Sequence, residues 1–282
     1  MLSFPLIELM QHPLQIGIGL AAAAVVIAVA TQGRFTLSRS SPASSLDKLG
    51  QPYLVPNHLP DATTFLPKPP SPDSPEMDGD LKARDAALKL KSTPRYELAE
   101  FDARRDQAAS SQAFACAFGS EISEKTTPVL YRMLGAMRVD VRASTYRAKG
   151  LYNRRPPFEV YHTQVCKPTD VKILEAEGSY PSARAAAGWA YAFVLASLNP
   201  ARRDAIIHRG SEFGLSRMIC DESWQSDVDA ARILALEDVR LLMRNSRFQA
   251  DLARAREEVA AAARAGKAPP NCKAEMLALA GR

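Results

Sequence analysis

An all-α fold is predicted by three observations on this 282-residue chain. Apolar residues recur at helical spacing through most of the chain after residue 80, and Ser or Thr followed by Pro recurs as a helix-start signal. No stretch alternates apolar and polar residues over a useful length, and no internal repeat is evident. Hydrophobic residues make up 46 % of the chain, which is enough for a sizeable core.

The first 31 residues contain an apolar run typical of an export segment. Residues 13–30 are almost wholly apolar, and Ala28-Val29-Ala30 fits the small-residue site at which a signal peptide is cleaved. The run is also long enough to cross a bilayer, and no Lys or Arg precedes it. Two interpretations of residues 1–31 stay open, a cleaved signal peptide and an inner-membrane anchor through residues 13–30. Both predict a periplasmic protein, soluble or anchored.

Residues 32–79 are predicted to form a Ser- and Pro-rich tether followed by an extended segment. Eight prolines lie between Gln51 and Pro75, and proline at this density argues against helix and central strand. The apolar pairs Tyr53-Leu54 and Phe65-Leu66 are interspersed, so we expect this part to lie extended against the domain. Residues 31–50 are expected to be disordered.

One helical domain is predicted from residue 80 to residue 282. Gly214 is expected to end the helix that starts near Pro200, and Ser226 and Ser246 are expected to cap the two helices that follow. The predicted helices span residues 80–91, 94–106, 128–153, 183–197, 200–214, 226–244 and 247–265.

The helix that starts after Ser182 is the first candidate for a binding site. The turn-forming run Gly178-Ser179-Tyr180-Pro181 leads to Ser182, which is a good N-cap. A helix N-terminus favours an anion, because its first N–H groups are free and its end is partially positive. Arg184 is unfavourable in that first turn unless an anion or a carboxylate lies opposite. The alternative is an ordinary capped helix with a surface arginine.

Charge and cysteine content narrow the function classes. The net charge of +5 and a pI near 9.0 suit an anionic small molecule or an envelope surface. No nucleic-acid partner is predicted, because basic and aromatic residues do not interleave along one face. The four cysteines are widely spaced and form no CxxC or Cys/His cluster, so no zinc site is expected. We predict no metal and no cofactor. An even number of cysteines behind an export signal favours two disulfides.

Three stretches of the chain, taken in order, resemble the bacterial class A non-specific acid phosphatases. The first runs from Lys149 to Phe158, the second from Tyr180 to Ala190, and the third from Gly214 to Ala230. In the family these stretches read Lys-x6-Arg-Pro, Pro-Ser-Gly-His and Ser-Arg-x5-His-x3-Asp. The family belongs to the type-2 phosphatidic acid phosphatase and vanadium haloperoxidase superfamily. The resemblance therefore implies a helical bundle of that type over roughly residues 53–280.

The resemblance implies a role for each matching position. Lys149, Ser182 and Arg217 stand at phosphate-binding positions. Arg184 stands where the family has the histidine that protonates the leaving group, and Ser223 stands where it has the nucleophilic histidine. Ser216 also matches the family, and Asp227 keeps the position of the residue that orients the nucleophile. Pro156 replaces the family's arginine, with Arg154 and Arg155 adjacent to it.

Losing both imidazoles predicts impaired catalysis beside a residual phosphate or phosphoester site that includes Lys149, Ser182, Arg184 and Arg217. A serine hydroxyl is a poor nucleophile without a base, and Asp227 is a weak base for Ser223. Guanidinium stays protonated and cannot act as general acid and base near neutral pH. The four histidines, His12, His58, His162 and His208, all lie outside the motif positions.

Other functions stay open at this stage. One is an active phosphatase with a rearranged site. Another is a structural or regulatory envelope subunit that forms a homodimer or pairs with an active paralogue, since family members are often dimers. In a third interpretation the motif residues are only folding partners, with Arg184 paired to Asp221, Glu222 or Asp227. The resemblance also implies two disulfides, Cys166–Cys220 and Cys116–Cys272.

Overall fold

The computed structural model describes residues 50–266, 269 and 272–280. The apolar run 13–30 and most of the predicted tether lie outside these residues. Within them, no helix has both the length and the apolar character that crossing a membrane requires.

The described part of the chain is built from α-helices joined by short turns and 3-10 segments, and it contains no β-strand. This confirms the predicted all-α class. The helices are α1 (Ala62–Phe65), α2 (Pro75–Leu88), α3 (Pro94–Ala103), α4 (Gln107–Gln112), α5 (Ala115–Phe118), α6 (Pro128–Tyr152), α7 (Pro157–Tyr161), α8 (Val171–Glu177), α9 (Ala183–Leu198), α10 (Arg203–Ile219), α11 (Gln225–Leu242), α12 (Ser246–Arg264) and α13 (Cys272–Ala280).

Helix α9 lies at the centre of the bundle. Twelve of its sixteen residues are buried, and it packs against α6, α10 and α11. Its alanines and Gly188 allow this, because small side chains let neighbouring helix backbones approach closely. A Cβ atom at Gly188 would lie 2.4 Å from Phe213 Cδ1 of α10, which is too close for any other residue without a shift. Around this centre α12 packs on α6, and α3 packs on α10 and α13.

The segment before α2 differs from the prediction of an extended chain without helix. A 3-10 turn, Pro56–His58, and α1 lie within it, and α2 starts at Pro75 instead of residue 80. Each of these prolines occupies the first helical turn, where a missing N–H costs nothing. Ser74 caps α2 by accepting a hydrogen bond from the Met77 N–H. Tyr53 and Leu54 are buried against the bundle.

Gly214, Ser226 and Ser246 do not have the roles predicted for them as a helix end and two helix caps. Gly214 does not end α10, which continues to Ile219; a Cβ atom at Gly214 would lie 2.7 Å from Val228 Cγ1, so this glycine serves helix packing. The N-cap of α11 is Trp224 instead of Ser226, and Asp227 accepts the Trp224 N–H at 2.8 Å. Asn245, instead of Ser246, caps α12 through the Phe248 N–H.

Both disulfides pair as the resemblance implied. Cys116 of α5 bonds Cys272 of α13, 156 residues further along the chain, and Cys166 bonds Cys220 at the end of α10. No free cysteine remains in the described residues. Disulfides persist in oxidising compartments and are rare in the cytosol. The two bridges therefore indicate an extracytoplasmic protein.

A candidate anion-binding site

A cavity of about 410 Å³ opens between α6, α8, the start of α9 and the end of α10. All three stretches singled out in the sequence contribute to its wall: Lys149, Ser182 with Arg184, and Arg217 with Ser223. Asp227 and Ser216 do not line the cavity. The ionisable groups of the wall are six basic and two acidic side chains, namely Arg105, Arg138, Arg142, Lys149, Arg184, Arg217, Glu177 and Glu222.

Ser182 places the N-terminus of α9 at the cavity wall. Its Oγ atom accepts the Ala185 N–H at 3.4 Å, which is the cap expected from the sequence. The same Oγ accepts a hydrogen bond of 3.0 Å from the Ser223 hydroxyl. Because the first N–H groups of a helix have no partner inside the helix, the start of α9 presents donors to an anion here.

Lys149 lies in the last turn of α6 and is almost fully buried. Its Nζ atom donates a hydrogen bond of 2.6 Å to the Gly178 carbonyl oxygen. Burial lowers the pKa of Lys149 from 10.5 to about 8, and the nearby Glu177 carboxylate opposes that shift. The side chain is therefore cationic at neutral and acidic pH.

Arg217, in the last turn of α10, is only 1 % exposed. Its Nη1 atom donates to Glu222 Oε2 at 3.0 Å. Its Nε and Nη2 atoms are buried and have no hydrogen-bond partner within the described structure. Leaving a buried donor unsatisfied typically costs about 1–3 kcal/mol, more for a charged group, so these two atoms favour a ligand in the cavity.

Arg184 is held by carbonyl oxygens and not by a carboxylate. Its Nη2 atom donates to the backbone oxygens of Asp102 at 2.7 Å and Arg104 at 2.6 Å. Its Nε atom is buried without a partner in the described part of the chain. Burial, followed by the neighbouring Arg217 guanidinium, lowers the pKa of Arg184 to about 9. Arg184 therefore remains charged at neutral pH.

The three carboxylates proposed from the sequence as partners of Arg184 form ion pairs with other arginines. Asp221 takes a bidentate ion pair from Arg84, with both hydrogen bonds at 2.7 Å. Glu222 pairs with Arg217, and Asp227 pairs with Arg154. The interpretation of Arg184 as an ion-pair partner of these three acids is therefore wrong.

Asp227 is fully buried and engaged away from Ser223. Its Oδ1 atom accepts from Arg154 Nη1 at 2.6 Å, and its Oδ2 atom accepts from the Trp224 N–H at 2.8 Å. Burial raises the pKa of Asp227, and the Arg154 guanidinium opposes that shift. The Ser223 hydroxyl donates to Ser182 instead, so the carboxylate is not placed to remove its proton.

Arg154 and Arg155, which flank Pro156 on its N-terminal side, do not line the cavity. Arg154 bridges the carboxylates of Asp227 and Asp80, and Arg155 pairs with Glu159 at the surface. Ser216 likewise has a structural partner, because its hydroxyl donates to Asp102 Oδ2 at 2.6 Å.

No histidine within the described ranges lines the cavity. His58 and His162 are exposed, and His208 lies on the outside of α10, 3.6 Å from Glu212 Oε1. His12 lies outside the described residues.

Several cavity residues were missed in the sequence. Arg142 of α6 lies one helical turn after Arg138 and two turns before Lys149, on the same face of the helix. That spacing is visible in the sequence. Arg138 donates to the Arg105 carbonyl oxygen at 2.7 Å, whereas Arg105 pairs with Asp170. Nothing local in the sequence indicated Arg105, because it lies in the turn between α3 and α4.

The fold and the cavity define an all-α protein with a basic pocket at a helix N-terminus. The chain is 40 % identical over 209 residues to a non-specific acid phosphatase of Providencia stuartii, covering 74 % of this chain and 84 % of that protein. It is 35 % identical over 210 residues to a non-specific acid phosphatase of Salmonella typhimurium, with the same coverage of 74 % and 84 %. An acid phosphatase of Zymomonas mobilis is 31 % identical over 251 residues, covering 88 % of this chain and 95 % of the relative. No family model matches the chain. At this identity and coverage, the chain belongs to the non-specific acid phosphatase family.

Proposed function

We propose that this protein is an exported member of the acid phosphatase family that binds phosphate or a small phosphoester and hydrolyses phosphomonoesters poorly. The binding residues are Lys149, Ser182, Arg184 and Arg217. The chemistry is impaired because Arg184 and Ser223 stand at the two positions that carry imidazoles in the family. Descent is therefore from a phosphomonoester hydrolase, and the retained property is recognition of the phosphoryl group.

The observation that carries the binding proposal is the pair of buried donors on Arg217. An arginine fork holds a phosphate through two parallel hydrogen bonds, and Nε and Nη2 form one edge of such a fork. Both atoms belong to a side chain of the cavity wall. A phosphoryl group bound there would satisfy them together.

The charge balance of the cavity also favours an anion. Lys149, Arg138 and Arg184 have no ion-pair partner among the described residues and bond only to carbonyl or hydroxyl oxygens. Buried cations are normally paired, because removing an unpaired charge from water is costly. A phosphomonoester dianion supplies the missing negative charge beside the N-terminus of α9.

The side chains at the two imidazole positions support the loss of catalysis. The Ser223 hydroxyl donates its hydrogen bond to Ser182, so its proton points away from any acceptor strong enough to remove it. Arg184 is anchored to two carbonyl oxygens and keeps its proton near neutral pH. General acid–base catalysis typically contributes about 10²–10⁴ in rate, which this site lacks.

Export is supported by the disulfides and by the apolar run at residues 13–30, which suits either a cleaved signal peptide or an anchor.

A homodimer or a complex with an active paralogue is also part of the proposal. Size-exclusion chromatography with light scattering tests it.

Arg217→Gln is expected to weaken the binding of inorganic phosphate about 10- to 100-fold, because hydrogen bonds to a charged group are lost. Isothermal titration calorimetry at pH 6 measures this. Arg254→Gln is the matched control, since Arg254 is an exposed arginine of α12 that pairs only with Asp251. Unchanged affinity in Arg217→Gln, or no binding by the unaltered protein at millimolar phosphate, would contradict the proposed site.

Anion affinity is expected to fall about tenfold between pH 7 and pH 9. The pKa of Lys149 is about 8, so its cation is nearly complete at pH 7 and about nine-tenths lost at pH 9. Titration with sulfate removes the ligand's own titration, because sulfate keeps its charge over that range. Lys149→Met should bind more weakly at pH 7 and show a smaller step, since only Arg184, with a pKa lowered to about 9, still loses charge. A step of the same size in Lys149→Met would assign the pH dependence to another group.

A further inference from the structure

The cavity has an apolar side next to its charged residues. Val139, Ala143 and Tyr146 of α6 and Ile173 and Leu174 of α8 line it. Tyr146 is 52 % exposed and Ile173 is 44 % exposed, although both are large apolar side chains. Both side chains line the same cavity as Lys149 and Arg217, and Tyr146 lies about one turn of α6 before Lys149.

An ion pair links α6 and α8, the two helices that contribute these apolar side chains. Arg142 of α6 bonds the Glu177 carboxylate at the end of α8. The Arg142 guanidinium also lies over the Tyr146 ring, 5.9 Å from its centroid. The ion pair connects the helix that carries Tyr146 with the helix that carries Ile173 at the cavity wall.

The volume of the cavity is larger than a phosphoryl group alone would fill. A volume of about 410 Å³ lies in the range that encloses small organic ligands, roughly 300–1,000 Å³. A phosphate ion, with five heavy atoms, fills only part of that volume. Tyr146, Ile173 and their apolar neighbours are among the residues that bound the cavity.

We propose that the cavity selects phosphoesters whose organic group is apolar, of the aryl type, and that Tyr146 and Ile173 are the residues that select it. The inference rests on the proposed phosphate site, because that site places the phosphoryl group beside Lys149 and Arg217. The organic group then leaves water against the apolar side chains of α6 and α8. A hydroxylated, sugar-like group would gain less from that burial, because it gives up hydrogen bonds to water.

Phenylphosphonate and methylphosphonate are suitable probes, because both present the same anionic head and neither contains an ester bond to cleave. Isothermal titration calorimetry of the full chain at pH 6 is expected to show phenylphosphonate binding about tenfold more tightly, from burial of much of the ring. Ile173→Ser and Tyr146→Ser should each reduce that ratio, and together they should bring it close to one. Binding of methylphosphonate should change less than about twofold in these variants.

Leu236→Ser is the matched control, because Leu236 is an exposed apolar residue of α11 that does not line the cavity. It should leave the ratio unchanged, and Arg217→Gln should weaken both phosphonates alike. Equal binding of the two phosphonates by the unaltered protein, or an undiminished ratio in the double serine variant, would overturn this inference alone. Failure of both phosphonates and of inorganic phosphate to bind would overturn the proposed site and the inference with it.

Discussion

The double variant Arg184→His/Ser223→His is expected to hydrolyse p-nitrophenyl phosphate at least about 100-fold faster than the unaltered protein. The proposal assigns to position 223 the nucleophile and to position 184 the proton donor. Both positions line the cavity that contains Lys149, Ser182 and Arg217, so new imidazoles would meet a phosphoryl group already held. Rates of hydrolysis between pH 4 and pH 8, with thermal melting of each variant, measure the gain.

The single variants and a matched double variant control this experiment. Each single histidine should give much less than the pair, because one supplies the nucleophile and the other the proton. Arg184→Gln/Ser223→Asn removes the same side chains and adds polar groups that cannot exchange a proton near neutral pH. A folded double histidine variant without gain, or an equal gain in the Gln/Asn variant, would contradict the assignment of these positions.

Loss of the Cys116–Cys272 bridge is expected to lower the free energy of unfolding by about 5 kcal/mol in the chain-entropy model. The bridge closes a segment of 156 residues, and it pins α13 to α5. Both cysteines are only half-buried, so serine at these positions leaves the packing nearly intact. Urea unfolding of Cys116→Ser/Cys272→Ser under non-reducing conditions measures the change.

The single variant Cys116→Ser serves as the control for the serine substitutions. It breaks the same bridge with one change, so its unfolding free energy should match that of the double variant. A double variant that unfolds within about 1 kcal/mol of the unaltered protein would show that the bridge does not constrain the unfolded chain as the loop length predicts.

Local signals made much of the fold predictable. The Thr-Pro starts indicated α3 and α6, and Ser182 indicated the start of α9, because caps and first-turn prolines depend on residues only one to three positions apart. The same signals failed where packing decided the outcome. Gly214 looked like a helix end but lies inside α10, since Val228 of α11 leaves no room for a Cβ atom. The short helices α7 and α8 and the 3-10 turns gave too few residues for a periodic pattern.

The candidate site was partly predictable for a different reason. The resemblance placed Lys149, Ser182, Arg184, Arg217 and Ser223 in motif positions, and the structure brings them to one cavity. Their individual partners were not predictable. The sequence allowed Arg184 an acidic partner, but its hydrogen bonds go to backbone oxygens of Asp102 and Arg104, about eighty residues earlier in the chain.

The sequence by itself determined an all-α class and the cap that opens α9, because these depend on residue identity and short-range geometry. Only the tertiary structure decided which charges are neutralised. Arg154 forms an ion pair with Asp227, Arg84 forms one with Asp221, and Arg217 forms one with Glu222. Partner choice among buried charges depends on which helices lie side by side, and that is fixed by packing across distant segments and not by any local pattern.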